Sequence, residues 1–252
     1  VALACGSLAH AQVQYLSDLR RVSLTADTLA DREAFARSPA VPYSDFEVAS
    51  RTVDAATGTT SVSATGSHHS ILLPSHMTAS GAASAAGLSL GSDPGSAQSS
   101  SSFFVGFHLA TRQRLVAHAS LTRGVTSNAQ FILQRTDGTI SYVLNADSPQ
   151  PITINRILPA GEYRVVAFAS ASIALFPGAN LADGCTYTAE LDFTCPVDFN
   201  ADGFLDFFDY DEYVTCFETG ACPPQATADF NDDGFVDFFD YDDFVASYES
   251  GC

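Results

Sequence analysis

Between Pro196 and Cys252 the chain carries fifteen acidic residues and no basic one, so −15 of its formal net charge of −18 falls on that segment. A compact fold has to draw cations into such a segment, because self-repulsion at this charge density opposes folding. The acids are not scattered. Asp198, Asn200, Asp202, Asp206 and Asp209 occupy positions 1, 3, 5, 9 and 12 of a short loop with Gly203 at position 6. Asp229, Asn231, Asp233, Asp237 and Asp240, with Gly234, repeat the pattern 31 residues later. Oxygens at this spacing wrap a hard cation, and the glycine makes the sharp turn that points the next carbonyl, of Phe204 or Phe235, inward. The pattern is that of an EF-hand-type loop, and its repetition in register predicts two bound Ca2+ ions.

Downstream of each loop, apolar residues recur at spacings of three and four: Tyr210, Tyr213, Val214 and Phe217, then Tyr241, Phe244, Val245 and Tyr248. Each set predicts one helix with an apolar stripe, the two stripes facing each other. Asp at position 12, where a calmodulin-like loop has Glu, resembles the single-helix half-hands of type I dockerin repeats, and the match covers nearly the whole of 196–252. The resemblance implies docking on a cohesin-like partner through loop positions 10 and 11. Those positions hold Phe207, Phe208, Phe238 and Phe239, a departure from the hydroxyl or charged residues common in the family. Two readings of the Phe pairs stand open: anchors for a partner, or cement between the repeats or against the rest of the chain. Antiparallel half-hands bring the start of one beside the end of the other, so Cys195 is expected to pair with Cys252. Cys216 is expected to pair with Cys222 across the linker after the first helix.

From Gln14 to about Phe193 the sequence is rich in Val, Ser, Thr, Ala and Phe, with turn residues at short intervals and almost no helical periodicity, an all-β pattern. Phe103, Val105, Phe107 and Leu109 share one face by the period of two, as do Leu115, Ala117, Ala119 and Leu121. Thr136-Asp137-Gly138 predicts a hairpin turn. Leu158-Pro159-Ala160-Gly161-Glu162-Tyr163 turns tightly into a strand running to Ala169, and Thr186 to Phe193 forms the last strand. Roughly nine to eleven strands fit a sandwich or jelly roll. The stretch from Ser80 to Ser102 reads as a strand followed by a long loop, with a glycosylated or disordered patch as the alternative, and Leu181 to Gly184 reads as an insertion. The opening Val13-Gln14-Tyr15-Leu16-Ser17-Asp18-Leu19-Arg20-Arg21-Val22-Ser23, the Ser-rich run before Phe103 and the Leu158 to Tyr163 turn resemble secreted bacterial jelly-roll domains of unassigned function. The expected fold is therefore mainly β: an antiparallel, jelly-roll-like β-sandwich over 12–194, then a small α-helical, dockerin-like double EF-hand module over 195–252.

Residues 1–11 resemble an export signal, with Ala9-His10-Ala11 as the cleavage pattern; lipidation at Cys5 is an alternative. If retained, the alternating Val1, Leu3 and Cys5 suit a strand that completes a sheet edge, either in its own sandwich or, by strand donation, in a neighbouring subunit. Export implies an extracellular or cell-surface place and oxidised cysteines, with Cys185, left over by the other pairings, expected near a Cys5. No run is long enough to span a membrane. All 11 basic residues are Arg and none is clustered, which argues against nucleic acid. His68, His69, His76, His108 and His118 have no Cys or carboxylate at local ligand spacing. No nucleophile elbow and no positioned carboxylate pair stands out, so no enzyme is expected. The function expected is an extracellular calcium-binding structural or assembly protein, as a homo-oligomer or head-to-tail polymer. The alternative is a dockerin-bearing module that binds a glycan or docks on a scaffold; the absence of Trp weakens the glycan reading.

Overall fold

The computed structural model describes residues 13–145, 147, 151–223 and 226–251. The expectations for residues 1–11, Cys5 and Cys252 lie outside these. The described chain contains thirteen strands and two helices: β1 (Val13–Asp18), β2 (Arg21–Thr28), β3 (Arg32–Arg37), β4 (Phe46–Thr57), β5 (Thr60–Leu73), β6 (His76–Ser89), β7 (Gly95–Leu109), β8 (Gln113–Arg123), β9 (Asn128–Arg135), β10 (Ser141–Asn145), β11 (Ile152–Leu158), β12 (Gly161–Leu175), β13 (Asn180–Thr194), α1 (Phe207–Thr219) and α2 (Phe238–Ser250).

Two antiparallel sheets form a sandwich, ordered β10-β9-β12-β7-β2-β3, with β1 also on β7, and β11-β8-β13-β6-β5-β4. The pairs β6·β13, β7·β12, β8·β11 and β9·β10 nest one inside the next in sequence, and consecutive pairs fall alternately in the two sheets. That is a long hairpin rolled around a barrel-like core, the jelly roll. β2 and β3 widen one sheet and β4 and β5 the other.

The period of two decides which side chains meet inside. Phe103, Val105, Phe107 and Leu109 are all fully buried, Leu115, Ala117 and Ala119 nearly so, and Leu121 is 9% exposed. The Ser80 to Ser102 stretch is not a strand and a loop: it forms most of β6 and β7, joined through residues 90–94. Its small side chains permit close approach of the sheets. Gly81 lies in one cross-strand row between His68 and Tyr187, and a Cβ there would sit 2.2 Å from Ser101 Oγ of the opposite sheet. Leu181 to Gly184 is likewise no insertion but the first half of β13, paired with Gly87 to Ser84. Asp183 there accepts hydrogen bonds from the Val125 and Thr126 amides and so holds the β8–β9 turn.

The break between β1 and β2 sends Arg20 into the core, where it is wholly buried. Arg20 Nε and Nη2 donate to Asp18 at 2.7 and 2.6 Å, and Nη1 donates to Ser70 Oγ at 3.0 Å. Ser70 Oγ lies 2.8 Å from His68 Nε2, and His68 Nδ1 lies 2.9 Å from the Tyr187 hydroxyl and 3.2 Å from Ser101 Oγ. A hydrogen-bonded polar chain thus crosses the interior, every group in it partnered, which such burial demands.

A second, separate core of Cys195, Val197, Phe199, Tyr213, Cys216, Ala228, Phe230 and Phe244 holds α1 and α2 together. Tyr213 and Phe244 stack at 3.7 Å, so the two helical stripes do face each other. This small module rests on the end of the sandwich. Arg112, from the β7–β8 turn, donates to Asp243 at 3.1 Å and lies 5.4 Å over the Phe230 ring, and Arg156 of β11 donates to Asp232 at 2.6 Å. No helix among the described residues is long and apolar enough to cross a membrane.

Candidate metal centre

The two acidic loops adopt nearly the same backbone. Position 4 is left-handed in both, at Ala201 (φ 60°) and Asp232 (φ 62°), and so is the glycine at position 6, Gly203 (φ 87°) and Gly234 (φ 92°). Left-handed backbone at position 6 is where glycine avoids the Cβ penalty. Asp206 and Asp237 are the N-caps of α1 and α2, accepting from the Phe208 and Phe239 amides at 2.8 Å. Capping places position 12 one turn into the helix with its carboxylate turned back over the loop.

The side chains at position 12 tie each loop shut. Asp209 Oδ1 accepts from the Phe199 and Asn200 amides at 2.7 and 3.2 Å, and Oδ2 from Asp206 at 2.9 Å. Asp240 repeats this with Phe230, Asn231 and Asp237 at 2.7, 3.0 and 2.9 Å. Both carboxylates are fully buried. Asn200 and Asn231 Oδ1 accept from the Asp202 and Asp233 amides, and Asp202 and Asp233 Oδ1 from the Phe204 and Phe235 amides, each at 2.9 Å. The side chains at positions 3, 5, 9 and 12 of each loop thus bond the loop's own amides, and among the described residues no three carboxylates of either loop bring ligand atoms within 4.8 Å of one another.

One atom tests whether these loops fit a cation. Asp198 Oδ2 accepts from Gly203 at 3.1 Å, but Oδ1 is buried with no hydrogen-bond partner. A buried carboxylate oxygen left unpaired is costly, and a bound cation would relieve it. Burial, joined by the Asp209 charge, pushes the Asp198 carboxyl above the usual range, and burial does the same to Asp209 against the amides that bond it. Crowded carboxylates at a loop lined with oxygens suit Ca2+, which takes about six to eight of them.

Phe207, Phe208, Phe238 and Phe239 are 67%, 67%, 77% and 70% exposed, so they cement neither the repeats nor the sandwich. Their neighbours Phe204, Phe235 and Val236 are also exposed. The bland reading fails because Tyr213, Phe230 and Phe244 already fill the space between the helices. Cys216 and Cys222 form a disulfide, as expected, and Cys195 is disulfide-bonded, its expected partner Cys252 lying outside the described residues. Cys185 is a buried free thiol, 3.3 Å from the Asn128 and Ser170 carbonyl oxygens. A grouping that local spacing does not reveal is His76, Glu190 and Asp192, whose ligand atoms lie within 4.8 Å of one another.

No family model matches the chain, and no curated protein matches it. Among the solved structures that are similar at low level are two of one virus. One is the structure of infectious bursal disease virus, Gx strain, 14% identical over 73% of this chain and 57% of that chain, with a TM-score of 0.21. The other is the D431N mutant VP2 protein of the same virus, 12% identical over 83% of this chain and 71% of that chain, with a TM-score of 0.18. Likeness at these scores places no constraint on function.

Proposed function

We propose that this chain is an extracellular, calcium-dependent assembly protein, in which the two-loop helical module binds two Ca2+ ions and attaches the jelly roll to a protein partner. The observation that carries the reading is the four-Phe surface. Two aromatic pairs stand exposed at the N-termini of α1 and α2, on the very turns whose geometry the acidic loops set. Aromatic side chains of this size are strong interface anchors. Asp198, Asn200, Asp202, Asp206 and Asp209, with the Phe204 carbonyl, would hold one ion, and the corresponding residues from Asp229 to Asp240, with Phe235, the other. Calcium would supply charge neutralisation and a fixed loop shape, and the chain's own residues do the rest: the N-caps orient the helices, and the Phe pairs meet the partner. The dockerin resemblance supports a cohesin-like partner adapted to an apolar contact. No catalytic role is assigned, since the His68, Ser70, Ser101 and Tyr187 cluster is sealed in the core.

Circular dichroism with and without excess chelator tests the reading on the intact chain. Chelation is expected to melt the two helices and to leave the β signal, because the module then carries its negative charge unneutralised. Calorimetric titration should find two Ca2+ sites, both lost on replacing Asp209 and Asp240 with Asn. Helices and melting behaviour indifferent to chelator would contradict it.

A further inference from the structure

We infer that His76, Glu190 and Asp192 form a site for a divalent transition ion of the zinc class on the outer face of the six-stranded sheet, independent of the acidic loops. Asp192 is directly opposite His76 in the β6·β13 ladder, and Glu190 lies two residues along β13 on the same face. His76 Nδ1 is 2.6 Å from Asp192 Oδ1, and one ligand atom from each of the three residues falls within 4.8 Å of the others. One imidazole nitrogen and two carboxylates at this spacing form a mixed nitrogen and oxygen donor set. The chain has no Lys. Among the described residues no arginine is ion-paired with either carboxylate, Asp192 being paired with His76 alone.

The placement is rigid, because β6 and β13 are both interior strands with a neighbour on each side. An imidazole with two carboxylates suits Zn2+ and similar ions, whereas Ca2+ and Mg2+ take oxygen alone. Glu190 is exposed and His76 and Asp192 are partly exposed, so an ion reaches them from solvent and keeps open positions. His118 lies directly across β13 from Glu190, its Nδ1 held 3.1 Å from Thr153 Oγ1. Glu190 and His118 also line a surface groove with His69, Ser80 and Thr188. An exchangeable position on the ion would therefore adjoin a surface of hydroxyls and imidazoles.

The test is calorimetric titration of the full chain with zinc chloride, with Ca2+ in large excess so that the acidic loops do not compete. One zinc site is expected, weakened about tenfold or more in His76→Ala and in Glu190→Gln. Both variants lie on the surface of the sheet, and an unchanged urea midpoint shows that they fold. On the wild-type chain, zinc should shift the imidazole NMR signals of His76 and leave those of His68 unmoved. Absence of zinc binding by the wild-type chain, zinc binding undiminished in His76→Ala, or His76 signals unmoved by zinc would each overturn the inference.

Discussion

Acidification from about pH 7.5 to about pH 5 is expected to cost the sandwich about 2 kcal/mol through one residue, His68. An ordinary imidazole titrates near 6.5, but burial first, then the Arg20 and His69 charges, push His68 down to about 3, with Asp18 opposing. Between those values the unfolded chain takes up a proton that the folded chain refuses. Stability is therefore full above about 6.5 and falls as the pH drops toward 3. Linkage sets the slope at about 1.4 kcal/mol per pH unit below the unfolded value, which gives about 2 kcal/mol at pH 5. His68 is 1% exposed, so solvent does not screen the penalty. Urea unfolding of the Ca2+-saturated chain, followed by its β signal, measures it against His68→Gln, whose amide cannot titrate. His69, His76, His108 and His118 contribute equally to both proteins and cancel. The wild type should lose about 2 kcal/mol more than the variant between the two pH values. Parallel stability curves would refute the argument, and with it the sealed state of the polar chain from Asp18 to Tyr187.

Gly81→Ala should destabilise the sandwich by about 1–3 kcal/mol in chemical denaturation, since its Cβ would sit 2.2 Å from Ser101 Oγ and 2.5 Å from Tyr187 Cε1. Replacing Cys216 and Cys222 together with Ser should cost the helical module about 2 kcal/mol by the chain-entropy estimate for so short a loop, read from its melting in Ca2+. Arg112→Ala with Arg156→Ala should speed amide exchange in the second acidic loop relative to the first, because Asp243 and Asp232 lose their ion pairs. Equal exchange in the two loops would count against anchoring of the module through these arginines.

Where the local pattern alone decides the structure, the sequence was readable. The alternation from Phe103 to Leu109 fixes a face whatever it packs on, and the loop from Asp198 to Asp209 closes through its own side chains. Strands built from small residues were not readable. Ser, Ala and Gly from Ser80 to Ser102 look like loop until a second sheet approaches closely enough to need them small. Register was equally hidden. His76 and Asp192 are separated by 116 residues, and only the β6·β13 pairing brings them together. The Phe pairs were undecidable for a related reason: nothing in Phe207-Phe208 says whether the helix interface has room, and Tyr213 and Phe244, stacked face to face, leave none.

The charge of the helical module is compensated unequally. The module has no basic residue of its own. Its ion pairs among the described residues come from the sandwich, Arg156 to Asp232 and Arg112 to Asp243, and both fall on the second loop and α2. The first loop receives neither. It is also the loop in which a carboxylate oxygen, Asp198 Oδ1, is buried without a partner, whereas the corresponding Asp229 Oδ1 accepts from the Asp233 amide at 3.1 Å. A bound cation would therefore relieve more in the first loop than in the second. The sandwich supplies part of the charge compensation of the second loop and α2, so the jelly roll is an electrostatic partner of the module, and the two aromatic pairs stand on helices that differ in this respect.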